Sequence, residues 1–164
     1  MTRALFAAAL LLLLCGPSAH AATTKPQNPI VAENALAGTT SWQRSLFDGI
    51  ELYGTAITAA PGDMVEFHVS TAHRYRLVVY RLGWYAGAGA RQVACVPSCD
   101  GDEQGRVQTG PDPPTVQPAR ANWPVTDVLK TDPQWTSGYY LVEALVKGRP
   151  NPSPASVFSN YARG

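Results

Sequence analysis

From Met64 to Thr71 the chain alternates, with Val65, Phe67 and Val69 on one side and Glu66, His68 and Ser70 on the other. A period of two predicts a half-buried antiparallel strand whose polar face is solvated. Tyr75 to Leu82, rich in Val, Leu and Tyr, predicts the next strand. Ile50 to Thr58 reads as a strand before them, and Arg91 to Val96 as a short edge strand after them. Trp123 to Leu129 carries a weaker strand pattern. Tyr139 to Val146 carries a strong one, with Tyr140, Val142, Ala144 and Val146 as its core face. Ser156 to Tyr161 starts a final strand.

The gaps between these runs hold turn residues. In Ala60-Pro61-Gly62-Asp63, proline is pre-set for the first corner and glycine for the next. Asp132 to Gly138 reads as a turn, and Lys147 to Pro152 as a hairpin-like one. Residues 97–122, dominated by Pro, Gly, Asp, Gln and Arg, form a long connection. No amphipathic helix is predicted. About seven short strands with closely spaced turns predict an all-β fold, an immunoglobulin/fibronectin-like antiparallel β-sandwich with an incomplete final strand. Gly138-Tyr139-Tyr140-Leu141-Val142 has the late-strand pattern in which a tyrosine closes a corner. The open edge of an incomplete last strand invites association, so the isolated chain is expected to be marginally stable.

The first residues follow a different logic. Arg3 precedes an unbroken apolar run, Ala4 to Cys15, which is too short to span a bilayer comfortably. Pro17 breaks it and Ala19-His20-Ala21 supplies a cleavage site, so residues 1–21 read as a secretory signal peptide cut before Ala22. The alternative, a lipid anchor on Cys15, is disfavoured because Leu14 is too large for the preceding position. Residues 22–29 read as a flexible Thr/Pro/Gln-rich leader, 30–148 as the sandwich domain, and 149–164 as an altered or truncated tail. The expected destination is secreted, periplasmic or extracellular, with no membrane contact after cleavage.

Charge and cysteine usage narrow the function. The chain has 13 Lys+Arg and 12 Asp+Glu, and removing Arg3 balances them. This is not the basic footprint of a nucleic-acid partner. Cys95 and Cys99, in Cys-Val-Pro-Ser-Cys, predict a local disulfide in an oxidising compartment. A zinc site needs about four ligands, and His68 and His73 lack the spacing to complete one, so no metal is expected. No cofactor is implied.

Catalytic patterns are also missing. There is no Gly-x-Ser-x-Gly elbow. Ser70 and His68 share a strand face about 7 Å apart, and with Asp63 they read as solvated side chains rather than a triad. Asp100-Gly101-Asp102-Glu103-Gln104 lacks the spacing of a calcium loop. Gly87 to Arg91 lacks the Lys-Ser/Thr ending of a phosphate loop. Of Trp42, Trp84, Trp123 and Trp135, most are expected in the core.

The exception is Arg81-Leu82-Gly83-Trp84-Tyr85-Ala86-Gly87-Ala88-Gly89-Ala90-Arg91. Gly83, Gly87 and Gly89 mark a shaped structural corner. Trp84 and Tyr85, flanked by Arg81 and Arg91, are the candidate binding surface. The competing reading is that the block merely holds the corner together, with Arg91 bonding turn carbonyls.

Several blocks occur together: Asn28 to Asn34, Gly38-Thr39-Thr40-Ser41-Trp42, Ile50 to Tyr53, Ala60 to Asp63 with Val65 to Thr71, Tyr75-Arg76-Leu77, and Tyr80-Arg81-Leu82-Gly83-Trp84-Tyr85 running into Gly87 to Arg91. Trp123-Pro124 and Gly138-Tyr139-Tyr140-Leu141 follow in order. In this the chain resembles the β-sandwich region at the front of bacterial proteins like the N,N-dimethylformamidase large (beta) subunit, over about residues 28–146. It departs at Ala86, where a second glycine is usual, at the Cys95–Cys99 insert, and in the tail after Gly148. The resemblance implies that amide hydrolysis belongs to a following domain, with an amidotransferase-like fold and an iron held by tyrosine and glutamate. No such region is found in these 164 residues, so none of them inherits a catalytic role. The implied function is a secreted, non-catalytic domain that supports or packs against a hydrolase-like domain or subunit. The alternative is a stand-alone carbohydrate-binding or adhesion module with a glycan ligand.

Overall fold

The computed structural model describes residues 27–43, 49–109 and 122–148, with the backbone of 155–157. The signal-peptide and lipid-anchor expectations therefore lie outside the described residues. After a short helix α1 (Pro29–Asn34) come β1 (Ile50–Gly54), β2 (Met64–Thr71), β3 (Arg74–Leu82), β4 (Ala90–Val96), β5 (Glu103–Gln104), β6 (Asp127–Lys130), β7 (Tyr140–Val146) and β8 (Ala155–Val157). One sheet has the order β1-β2-β6; the other has β4-β3-β7-β8, with β5 also on β3. Every pairing is antiparallel, as the sandwich expectation requires.

The core lies between the sheets. Ile50, Val65, Phe67, Val69 and Leu129 face Tyr75, Leu77, Val79, Ala144 and Val146, with Tyr140 and Val142 packed against them. The period of two in β2 and β7 put these residues on one side, and the pairing register, from Tyr75↔Val146 to Arg81↔Tyr140, keeps the two central strands in step. A buried hydrogen bond crosses the core, with the Tyr75 hydroxyl donating to Asp127 Oδ2 at 2.6 Å. Burial raises the Tyr75 hydroxyl pKa, and the neighbouring carboxylate raises it further.

Two expectations about the outer faces change. Most of the polar side of β2 is not solvated: His68 and Ser70 are buried, and of the polar residues on that side Glu66 alone is exposed. The Tyr53 ring stacks on His68 at 4.4 Å, and the Gln108 N–H donates to Ser70 Oγ at 3.0 Å. Returning chain thus covers this face, which alternation within β2 alone cannot show. Likewise β3 and β7 are buried on both sides, because Val78, Tyr80, Leu141 and Leu145 form a second cluster under Trp42.

Element ends shift for local reasons. Asn28 caps α1, its Oδ1 accepting from the Ile30 N–H at 2.9 Å, and Pro29 occupies the first turn. Six residues are too few to show a helical period, so the sequence did not predict α1, which sets in at the last residue of the expected leader. The strand expected from Ile50 ends at Gly54, and the one expected from Trp123 starts only at Asp127. Pro124, which has no N–H to donate, stands in that stretch. The Ala60–Asp63 turn forms as predicted, with Gly62 at φ +92° and the Asp63 N–H donating to the Ala60 carbonyl at 3.1 Å. The tyrosine corner also forms: the Tyr140 hydroxyl donates to the Thr136 carbonyl at 2.6 Å. Cys95 and Cys99 are joined, with their Cα atoms 5.0 Å apart. Within the expected tail, β8 pairs with β7 from Val142↔Val157 to Ala144↔Ala155.

Candidate functional site

Strand β3 pairs with β4 up to Leu82↔Ala90, so residues 83–89 form the hairpin loop between them. The loop closes on itself: the Gly83 N–H donates to the Gly89 carbonyl at 3.0 Å, and the Gly87 N–H to the Trp84 carbonyl at 2.8 Å. Four loop residues have left-handed backbones: Tyr85 (φ 42°), Ala86 (φ 54°), Gly87 (φ 90°) and Gly89 (φ 85°). Ala86 thus takes a left-handed conformation that glycine adopts more readily, at the steric cost a Cβ carries there. Gly89 has a second constraint, since a Cβ on it would lie 2.7 Å from Trp42 Cζ2. A Cβ on Gly83 would strike Asn34 Oδ1. The Trp42 indole N–H donates to the Ala88 carbonyl at 2.9 Å, which makes that half-buried tryptophan an anchor of the corner.

Beneath the loop lies a polar network that sequence reading missed. Its centre is Glu33 of α1, whose side chain is 10% exposed. Glu33 Oε1 accepts from the Tyr85 hydroxyl at 2.8 Å and from Arg91 Nε at 2.7 Å, and Arg91 Nη2 lies 2.7 Å away. The Tyr85 hydroxyl in turn accepts from Arg81 Nη1 at 2.9 Å. Arg81 also donates from Nε to the Thr136 carbonyl at 3.2 Å and from Nη2 to the Ser137 carbonyl at 2.8 Å. Burial alone would raise the Glu33 carboxyl, but hydrogen bonds from Tyr85 and Arg91 and the charges of both arginines hold it below the usual carboxylate range. Burial raises the Tyr85 hydroxyl, and its bond to Glu33 adds to this, against the opposing pull of Arg81. Arg91 is raised, because Glu33 outweighs the cost of desolvation.

The predicted binding set is divided by this geometry. Trp84 is 71% exposed and remains a surface group. Tyr85, at 1%, and Arg81, at 3%, lie inside the corner and are not surface residues. Arg91 does not bond turn carbonyls as expected; it pairs with Glu33, while Arg81 bonds the carbonyls. Tyr85 turns inward because Glu33 and Arg81 give its hydroxyl the partners that a buried phenol needs. Fifty-eight residues separate Glu33 from Arg91, so no local pattern could reveal the pair.

The other weighed groups do not converge either. His68 Nδ1–H donates to the Trp123 carbonyl at 2.8 Å and the Pro124 carbonyl at 3.0 Å. Asp63 Oδ2 accepts from the Ala60 N–H, and Ser70 Oγ accepts from Gln108 N–H. Asp102 faces Arg76 at 3.6 Å and Lys147 at 3.3 Å, so cationic side chains already neutralise it. Trp123 tilts against Tyr53, and Trp135 stacks on Tyr140 at 5.1 Å. Among the described residues, no group of three or more His, Cys, Asp or Glu could hold a metal ion, and no helix is long and apolar enough to cross a membrane.

A family model described as N,N-dimethylformamidase beta subunit-like, C-terminal, matches residues 76–159. The match spans most of β3, the glycine corner, the disulfide loop and the later strands through β8. Its description names a C-terminal region, whereas the sequence blocks set the resemblance at the front of such proteins; the blocks before Arg76 lie outside the match. No curated protein and no solved structure matches the chain.

Proposed function

This chain belongs to the N,N-dimethylformamidase beta subunit-like family, and from that membership we propose that it is an exported, non-catalytic domain that supports or packs against a hydrolase-like domain or subunit. The observation that carries this reading is how the corner spends its polar groups. Arg81, Tyr85 and Arg91 bond Glu33 and backbone carbonyls, so the groups best suited to chemistry serve to hold a shape. Export rests on the apolar run Ala4 to Cys15 and the cleavage site Ala19-His20-Ala21 after it, and the mature chain then starts at Ala22, outside the cytoplasm.

Dimethylamine release from N,N-dimethylformamide by the purified chain tests the non-catalytic part. No release above buffer is expected; sustained turnover overturns it. Sedimentation with a hydrolase-like domain of the same family tests the partner. A complex weakened at least tenfold by Trp84→Ala is expected, and no complex at micromolar concentrations counts against it. N-terminal sequencing of the mature protein is expected to begin at Ala22.

A second reading, a carbohydrate-binding or adhesion module, is favoured by one observation: the 71% exposure of Trp84, whose ring could stack on a sugar. Glycan-array binding that vanishes in Trp84→Ala, with an unchanged circular dichroism spectrum, would select it over the first.

A further inference from the structure

Away from the glycine corner's polar network, the two sheets stand apart around a cleft of about 530 Å³. Its depth reaches core residues: Phe67 and Leu129 on one sheet, Val79 and Val142 on the other. These floor residues are themselves nearly covered, so the open space lies above them, toward the loops. The stacked rings of Trp135 and Tyr140 form part of the wall. Ile57 and Tyr139, both well exposed, stand at the rim.

Three of its polar lining groups already bond backbone. Thr131 Oγ1 donates to the Ala60 carbonyl at 2.8 Å, and the Tyr140 hydroxyl donates to the Thr136 carbonyl at 2.6 Å. Among the described lining residues Asp132 alone is charged; it is exposed, and its Oδ1 accepts from the Gln134 N–H at 2.7 Å. Arg81 lies behind the 136–138 backbone and donates into it. The interior therefore offers apolar contact without an ion partner. Protein interiors are close-packed, and a volume of this size falls in the range of small-molecule pockets, about 300–1,000 Å³. Strands of both sheets form its floor, and the loops at 56–61 and 131–139 form the rest of its wall.

We propose that this inter-sheet cleft is a binding site for a small uncharged apolar molecule, alkyl or aromatic. The apolar floor favours such a guest, and with no cationic side chain among the described lining residues an anion is disfavoured. This site is independent of the packing role proposed above and of the Trp84 surface.

Titration of the full chain with the uncharged dye N-phenyl-1-naphthylamine tests it. Saturable fluorescence at one dye per chain is expected, displaced by 1-decanol and at least tenfold less well by decanoate. Ala56→Trp, which places an indole at a lining position, is expected to weaken the dye at least tenfold with an unchanged near-ultraviolet circular dichroism spectrum. Should that variant not fold, Ile57→Gln at the exposed rim is expected to weaken it several-fold. No saturable binding, equal displacement by decanoate, or binding untouched by a folded Ala56→Trp or by Ile57→Gln overturns the proposal. So does a dimer in sedimentation that Ala56→Trp dissociates, since a second copy would then be the occupant.

Discussion

Replacing Glu33 by Gln tests whether one carboxylate fastens the N-terminal helix to the sandwich. Helix α1 has no buried residue of its own. Besides Glu33, Asn34 ties it to the corner, its Oδ1 accepting from the Trp84 N–H at 2.7 Å. Glu33 receives three close contacts, from Tyr85 and from two nitrogens of Arg91. Hydrogen bonds to charged groups contribute about 1.5–3 kcal/mol each, but these share one oxygen and are offset by desolvation of both charges. A net loss of about 2–3 kcal/mol is expected, read as urea unfolding if the helix and sandwich melt together. If the helix opens alone, the same loss appears as faster hydrogen exchange at the Trp84 N–H. The pH dependence separates charge from packing. The Glu33 pKa is lowered in the folded chain, so its contribution is complete above the unfolded carboxylate pKa of about 4.3 and is lost as pH falls through the lower folded value. The gap between the native protein and Glu33→Gln should be full at pH 7 and narrow below about pH 4.3. A gap that stays constant with pH, or no gap in either readout, would refute the reasoning.

Three further outcomes follow from the geometry. Tyr140→Phe removes the corner bond to the Thr136 carbonyl, and thermal melting should show a loss of about 1–1.5 kcal/mol. Ala86→Gly relieves the left-handed backbone at φ 54°, and chemical denaturation should show a gain of about 0.5–1 kcal/mol; a loss would mean that the alanine methyl packs usefully. Reducing the Cys95–Cys99 bond opens a loop of only five residues, so a melt with and without reductant should differ by about 2 kcal/mol or less.

Much of the sandwich was legible because its signals are short-range. The alternation of Val65, Phe67 and Val69 matches the inner face of β2, since side chains along a strand must point to opposite sides. Pro61-Gly62 makes its turn with the backbone angles those residues prefer. Gly138 to Val142 makes its corner because the Tyr140 hydroxyl reaches a carbonyl four residues back. The cysteines, four positions apart, join within one local loop.

Other features needed the docked sheets. His68 and Ser70 look solvent-facing within β2, but chain from residues 108 and 123–124 returns to bond them. Tyr85 looks like a surface aromatic beside Trp84, yet a left-handed backbone turns it under the loop toward Glu33. The apolar cleft exists only because two sheets made of distant segments stand apart at one place. A strand's period, a turn and a short disulfide are decided by bonds within a few residues, which the order of amino acids contains directly. Which face is covered, which charge meets which, and where space remains are decided by contacts tens of residues apart, which come into being only when the elements pack.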